Sequence, residues 1–351
     1  MTSLLSFAEN RPKAPLALIA TPGARELTKL VDKNLVEWYK SKDGDNSFKK
    51  DTFIIDATCP RFTNGDGKGM IMETVRGKDL FIICDVANLK RIICAACGKP
   101  ERITVVMPML YAGRQHRRAS RESLDCAMML HELYDMGVSD VITFDAHDPR
   151  VQNAVPLMGF DNYFPTYQVL KALTRRFPDI SPDEGAMGRN VYYASVLGLD
   201  LGMFYKRRDY ANVVNGRNPI IAHEYIGSPV MGMNVFVADD MIATGDSVIK
   251  LAREIKEKGA QRVFLSATFA LFTEGVEKFN KAYEEGLFDA VISTNLAYRT
   301  PELRSCEWFV EADMSKYLAY IIAAGNLNEA VSNLLDPFEK IKQLVSSLES
   351  K

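Results

Sequence analysis

The sequence predicts an α/β protein whose parallel sheets are covered by helices on both faces. Three observations carry that expectation. Short, strongly apolar runs recur along the chain, among them residues 103–110 (ITVVMPML) and 234–238 (NVFVA). Amphipathic runs of helical length stand between them. With 351 residues, 47% hydrophobic and 25% charged, the chain has the length of two domains and an ordinary globular balance. Strands buried on both faces read as continuous apolar runs, and parallel neighbours need helical crossovers between them.

Residues 16–20 (LALIA) read as the first strand and 24–40 as an amphipathic helix. Residues 53–55, 70–75, 80–86 (LFIICDV) and 103–110 read as further strands. Ser120 is placed as the N-cap of a helix running to Met136. In it Cys126, Met129, Leu130 and Leu133 follow the i, i+3, i+4, i+7 pattern, and Gly137 ends it. Residues 141–144 form a strand leading into Asp145 and His147. The second half keeps this rhythm. Residues 167–177 and 188–197 read as helices, and 201–205, 234–238, 262–268 and 290–293 as strands. A helix over 247–258 is closed by Gly259, and helices over 313–324 and 328–348 end the chain. The turn-rich stretch 159–165 is the expected boundary, giving domains over 1–162 and 163–351.

Lys plus Arg is 43 and Asp plus Glu is 45, a net charge of −2 that does not suit a bulk nucleic-acid binder. No apolar run approaches the ~20 residues that span a bilayer. The first residues, MTSLLSFAENRPKAP, are too short and too soon charged for a secretory signal. A cytoplasmic enzyme is the expectation. Of the six cysteines, Cys94 and Cys97 form one CxxC. A zinc site wants a second pair or histidines at ligand spacing, so the thiols are expected to be structural or incidental rather than metal-binding or redox-active.

The most informative segment is 235–247, VFVADDMIATGDS. A buried strand runs into two carboxylates, then into a Thr/Gly/Ser turn and a helix. Ligands of open α/β sheets bind at the carboxyl ends of strands, and a helix N-terminus offers N–H groups to a phosphate. Asp239 and Asp240 are placed to accept from sugar hydroxyls, so a sugar-phosphate site is one reading; a capped helix after an acidic turn is the other. FYKRRDY, at 204–210, puts Lys206, Arg207 and Arg208 at a strand end before a long loop. That is either an active-site lid carrying charge for phosphates or a solvated basic loop. FDAHD and SPDEG place His147 and Asp183 near other element ends, where Mg²⁺ takes carboxylates, waters and substrate phosphates. AGRQHRRASR, at 112–121, is an anion site or a basic turn.

Taken in order, these segments resemble the ribose-phosphate pyrophosphokinase family. The resemblance runs from about Phe53 to Asn295 through RFTNGDGKG, ETVRGKDLFII, YAGRQHRRASRE, ITFDAHDPRVQ, FDN, SPDEGAMGR, YKRR, VADDMIATGDS and a late TN. It implies two similar phosphoribosyltransferase-type domains, an ATP side in the first and a ribose 5-phosphate loop with a flexible catalytic loop in the second. It implies Mg²⁺-dependent transfer of pyrophosphate from ATP to ribose 5-phosphate, in a homo-oligomer that is a dimer or hexamer, with no nucleic acid or membrane partner. Carried over by position, Phe62, Asn64 and Asp66 fall on the loop that reaches ATP in a neighbouring subunit. Arg114 and Gln115 fall on an ATP-binding pair, and His147 and Asp183 on positions linked to Mg²⁺, His147 also to ATP. Lys206 and Arg208 fall on the flexible-loop pair that steadies the transition state. Asp239, Asp240, Thr244, Gly245, Asp246 and Ser247 fall on the ribose 5-phosphate loop.

This chain departs from the family pattern DD-x-x-D-T-x-G-T at Ala243, Asp246 and Ser247, and Asn64 stands where an acidic residue is usual. Asp246 puts a negative charge beside the expected phosphate. At the family's regulatory site Thr74, Arg76 and Gln152 match, while Pro149 replaces a common serine. The connections around Asn88 and after Phe177 are short. The two alternatives are a non-catalytic regulatory paralogue, which Ala243 and Asp246 favour, and a phosphoribosyltransferase, which RFTNGDG and AGRQ disfavour.

Overall fold

The computed structural model describes residues 12–42, 49–84, 88–118, 121–179, 186–188, 201–208, 220–227, 229–335 and 337–349. The chain forms two α/β units, each a mainly parallel sheet flanked by helices. The first comprises the residues up to Pro165 together with Asn295–Tyr298 and Asp313–Asp336; the second holds Thr166–Thr294, Arg299–Ala312 and the residues from Pro337 on. The division is therefore not the single cut at 162/163 that the sequence suggests, because a helix close to the C-terminus packs into the first unit.

In the first unit, β1 (Leu16–Ala20) is followed by α1 (Arg25–Lys42), then by a small antiparallel pair, β2 (Ala57–Thr58) and β3 (Met70–Ile71). Next come β4 (Asp79–Ile83), α2 (Leu89–Ala96), β5 (Arg102–Val106), α3 (Asp125–Asp135), β6 (Asp140–Phe144) and β7 (Gly159–Tyr163). The five long strands form one parallel sheet in the order β1-β4-β5-β6-β7. Leu80, Phe81, Ile82 and Ile83 are all buried, as a strand covered on both faces requires. Residues 53–55 make one bridge, Ile54 to Leu18, and no strand. Asp32 of α1 holds them there, accepting from the Phe53 N–H at 2.7 Å and the Thr52 hydroxyl at 2.7 Å. The strand expected over 70–75 stops at Ile71, ahead of a turn with Gly77 at φ 63°. Helix α3 starts at Asp125; Ser120 lies outside the described residues.

The second unit contains α4 (Thr166–Arg176), β8 (Ala186–Gly188), β9 (Leu201–Arg208), β10 (Ile220–Ile226), β11 (Asn234–Ile242), α5 (Asp246–Glu257) and β12 (Arg262–Ala270). Then follow α6 (Glu277–Glu284), β13 (Ala290–Thr294), α7 (Pro301–Ser305) and β14 (Phe309–Ala312). The seven-stranded order is β10-β9-β8-β11-β12-β13-β14, and only the β9–β10 pair is antiparallel. The helix expected over 188–197 lies outside the described residues, apart from Gly188, which ends β8. Helix α8 (Ser315–Asn326) returns to the first unit. The single closing helix expected over 328–348 is instead α9 (Ser332–Leu335) and α10 (Phe338–Glu349), because Pro337 cannot continue a helix from its N-terminal side.

Helix α8 is tied to the amino ends of β4 and β5 by a buried polar network. Asp79, 1% exposed, accepts from Arg102 Nε at 2.8 Å and Nη2 at 2.5 Å. The same Nη2 donates to the Gly325 carbonyl at 2.6 Å, and Asn326 Nδ2 donates to Asp79 at 2.9 Å. Tyr39 of α1 closes the network, its hydroxyl donating to Asn326 Oδ1 at 2.8 Å. Burial, then the Asp79 charge, raises the Tyr39 phenol above its usual range.

Arg102→Met leaves Asp79 buried and uncompensated, and we expect it to cost about 3 kcal/mol in urea unfolding. A second prediction concerns Asp140, beside this network. Its Oδ1 is buried with no hydrogen-bond partner among the described residues, and burial, with Asp161 second, pushes its carboxyl up to about 6. A folded-state value above the unfolded ~3.9 means the native state holds the proton more tightly. This contribution is therefore lost as pH rises from about 4 to about 6. Asp140→Asn should abolish that slope and stabilise the protein at pH 7 by roughly 1–2 kcal/mol, read from unfolding midpoints across pH.

Candidate active site

In the first unit Arg114, Gln115 and His147 sit on loops leaving the carboxyl ends of β5 and β6, where α/β folds bind ligands. After Phe144 the chain turns at Asp145, whose φ is 44°. Two bonds from β7 fix this turn: the Asp145 N–H donates to the Tyr163 carbonyl at 2.8 Å, and the Ala146 N–H to Asn162 Oδ1 at 2.9 Å. His147 is half-buried on it. After β5, a tight turn closes with the Gln115 N–H donating to the Ala112 carbonyl at 2.7 Å, leaving Arg114 and Gln115 exposed.

His116 joins the two loops. Its Nδ1 lies 3.2 Å from the Gly113 carbonyl, its Nε2 3.3 Å from Asp148 Oδ2, and its ring 5.5 Å from that of His147. Asp148 also accepts from Arg150 Nη2 at 2.6 Å, and this guanidinium holds its carboxyl well below the usual range. Arg114, Gln115 and His147 thus lie on two loops that are stapled together.

Phe62, Asn64 and Asp66 occupy a separate hairpin tip. Asn64 Nδ2 donates to Asp66 Oδ2 at 2.7 Å, and the Phe62 N–H to the Asp66 carbonyl at 2.8 Å. Gly65 supplies the positive φ of 89° that the turn requires. The tip is rigidly bonded within itself, while Phe62 stays 57% exposed.

In the second unit β11 does not end at Ala238 but continues through both carboxylates to Ile242. Strand alternation leaves Asp239 exposed and Asp240 only 6% exposed. The Asp240 N–H donates to Asp239 Oδ1 at 2.8 Å. Gly245 then caps α5 with φ 92°. A Cβ there would lie 2.3 Å from Phe279 Cε2, so only glycine lets the backbone settle on the aromatic floor of Phe279, Phe272 and Trp308. Thr244 Oγ1 donates to Asp246 Oδ2 at 2.9 Å, and Lys278 of α6 donates to Asp246 Oδ1 at 2.7 Å. Lys278, then Thr244, holds the Asp246 carboxyl below its usual range. Ser247 is exposed in the first turn of α5.

Lys206 and Arg208 are not in a loop beyond the strand. The ladder extends past Tyr205, and Lys206 pairs with His223 and Arg208 with Ile220 of β10. The apolar and β-branched segment 220–226 supplies a partner strand, which local reading around 204–210 does not reveal. Asp183 lies outside the described residues. Cys94 and Cys97 are exposed at the end of α2, Cys97 in the left-handed cap.

Sequence reading missed His116, Asp148 and Lys278 as parts of these loops. His116 and Asp148 adjoin motif residues, a signal that was present. Lys278 carried none.

Gly245→Ala should force the loop off Phe279 and strain a positive-φ position. The expected loss is about 2 kcal/mol or more in urea unfolding, with Phe279→Ala/Gly245→Ala less impaired than the sum of the single variants.

Among the described residues no helix is long and apolar enough to cross a membrane. The N-terminal domain of ribose phosphate pyrophosphokinase matches residues 16–137, and the phosphoribosyl transferase domain matches residues 180–286. The ribose-phosphate pyrophosphokinase of Vibrio cholerae serotype O1 is 32% identical over 302 residues, covering 80% of this chain and 91% of its own length. That of Chromobacterium violaceum is 30% identical over 296 residues, covering 80% and 87%. The crystal structure of phosphoribosylpyrophosphate synthetase from Mycobacterium smegmatis shares the fold, with TM-score 0.73 at 21% identity, over 90% of this chain and 99% of that one. Both domain matches fall in the family's order and the relatives align over four-fifths of the chain: it belongs to the ribose-phosphate pyrophosphokinase family.

Proposed function

We infer that this protein transfers the β,γ-pyrophosphoryl group of ATP to the C1 hydroxyl of ribose 5-phosphate, giving phosphoribosyl pyrophosphate and AMP. The observation that carries this reading is the loop after β11. Two carboxylates lie near the carboxyl end of β11, and Thr244 and Gly245 lead into α5, whose first turn carries Ser247. That loop alone also suits a phosphoribosyltransferase. The match over residues 16–137 favours the pyrophosphokinase.

The chemistry asks mostly for positioning and charge. Asp239 and Asp240 hold ribose hydroxyls, and the N–H groups opening α5 hold the 5-phosphate. Arg114, Gln115 and His147 hold ATP. Phe62, Asn64 and Asp66 reach the nucleotide of a neighbouring subunit in a homo-oligomer, a dimer or hexamer. The 1-hydroxyl oxygen attacks the β-phosphorus in line, the bond from that phosphorus to the α,β-bridging oxygen breaks, and AMP leaves with the oxygen. The hydroxyl proton passes to solvent. Lys206 and Arg208 set positive charge against the transferring phosphates.

Among the described residues no cluster of three or more His, Cys, Asp or Glu side chains forms, and a site with so few protein ligands suits Mg²⁺, which keeps waters and phosphate oxygens. His147, half-buried at the end of β6, and Asp183 would hold it. When bound, the ion neutralises phosphate charge.

Incubation with ATP, Mg²⁺ and ribose 5-phosphate should yield AMP and phosphoribosyl pyrophosphate in equal amounts. Pyrophosphate release from phosphoribosyl pyrophosphate and a base would replace this reading by the phosphoribosyltransferase. Activity only as a supplement to another subunit would make it the regulatory paralogue, the reading Ala243 and Asp246 favour. Lys206→Ala should lower kcat about 10²–10³-fold while leaving KM for ATP little changed. A variant that keeps most of its kcat removes Lys206 from the chemistry.

A further inference from the structure

Asp246 stands at the opening of α5, where helix N–H groups face the place assigned to the sugar phosphate. A carboxylate there repels a phosphate dianion and competes for the same donors. It already accepts from the Thr244 hydroxyl at 2.9 Å, a group otherwise available to a phosphate. Left alone, Asp246 would set this loop against its ligand.

It is not left alone. Lys278, in the first turns of α6, is 32 residues away in sequence and donates to Asp246 Oδ1 at 2.7 Å. Its other acceptor is Glu274 Oε2, at 2.6 Å. The ammonium is held between two carboxylates. The Lys278 side chain is 28% exposed and the Asp246 side chain 71%, so the pair is open to solvent and to an incoming anion. Helix α6 is fixed at this height by Phe279, the residue next to Lys278, whose ring supports Gly245. The same helix therefore shapes the loop with one side chain and balances its charge with the next.

We propose that Lys278 is a specificity-determining residue for the sugar phosphate: its ammonium offsets Asp246 at the opening of α5 and so lets this loop accept a phosphate monoester. The proposal rests on the reading of the loop as the ribose 5-phosphate site. It assigns to a residue outside the motif the charge balance that a glycine at position 246 would not require. Lys278 acts through Asp246, so it is a positioning residue and not a catalytic one.

The test is a double-mutant cycle on the full-length protein, with ribose 5-phosphate binding read by calorimetry and steady-state kinetics run in parallel. Lys278→Gln should weaken ribose 5-phosphate binding about tenfold, with KM for ATP and kcat near wild type. Lys278→Arg should keep most of the affinity. Asp246→Asn should bind at least as tightly as wild type, and Asp246→Asn/Lys278→Gln should recover to within about twofold of it. The loss in Lys278→Gln should shrink as salt screens the exposed charges. Unchanged affinity in Lys278→Gln overturns the proposal while leaving the reading of the loop intact. A double variant as weak as Lys278→Gln also overturns it, because Lys278 would then act independently of Asp246. A wild-type protein that binds ATP but has no affinity for ribose 5-phosphate overturns the reading of the loop and the proposal together.

Discussion

The Asp79–Arg102 pair is the constraint around which the first unit is organised. The two residues face each other at the amino ends of neighbouring parallel strands. Their bonds reach out of the sheet to Gly325 and Asn326 at the end of α8. A buried ion pair gives little net stability against a hydrophobic substitute, but it is intolerant of error. The observed placement of α8 satisfies Asp79, Arg102, Asn326 and Tyr39 together. The chain, having built the second unit, is thereby bound to return to the first. Arg262, at the start of β12, plays a smaller version of this part. It pairs with Asp289 and packs over the touching rings of Phe177 and Phe264, at 4.9 and 5.0 Å from their centres.

With these ion pairs fixing the amino ends of the strands, the carboxyl ends are free to carry chemistry. The two units use that freedom differently. In the first, side chains do the joining: His116 bridges one loop to the Asp148 of the next. In the second, backbone geometry does it: Gly245 rests on Phe279, which sets the start of α5 relative to the end of β11. The acidic residue after Gly245 is then an electrostatic problem created by sequence and answered from another helix. Its balance is local, because both charges lie at the rim where solvent screens anything farther away.

Most of the architecture was legible in the residues. Strands such as 16–20 and 290–294 announce themselves by apolar runs, and α1, α3 and α5 by their spacing. Ends were less legible. β11 runs on through Asp239 and Asp240 because its neighbour β12 supplies a ladder to Ala270, which no window around 238 contains. β9 extends through Lys206 and Arg208 for the same reason, with β10 as the partner. The break at Pro337, by contrast, was written in the sequence as a residue that cannot donate to a helix behind it.

By itself the sequence determined the α/β class, the family and the motif positions, because periodicity, turn chemistry and motif spacing are properties of residues close together in the chain. The tertiary structure alone decided which distant groups meet. Asn326 reaches Asp79 across 247 positions, and Lys278 reaches Asp246 across 32. Such contacts depend on how whole helices pack. A lone lysine on an exposed helix face reads the same whether it serves solvent or the carboxylate at the mouth of a binding loop.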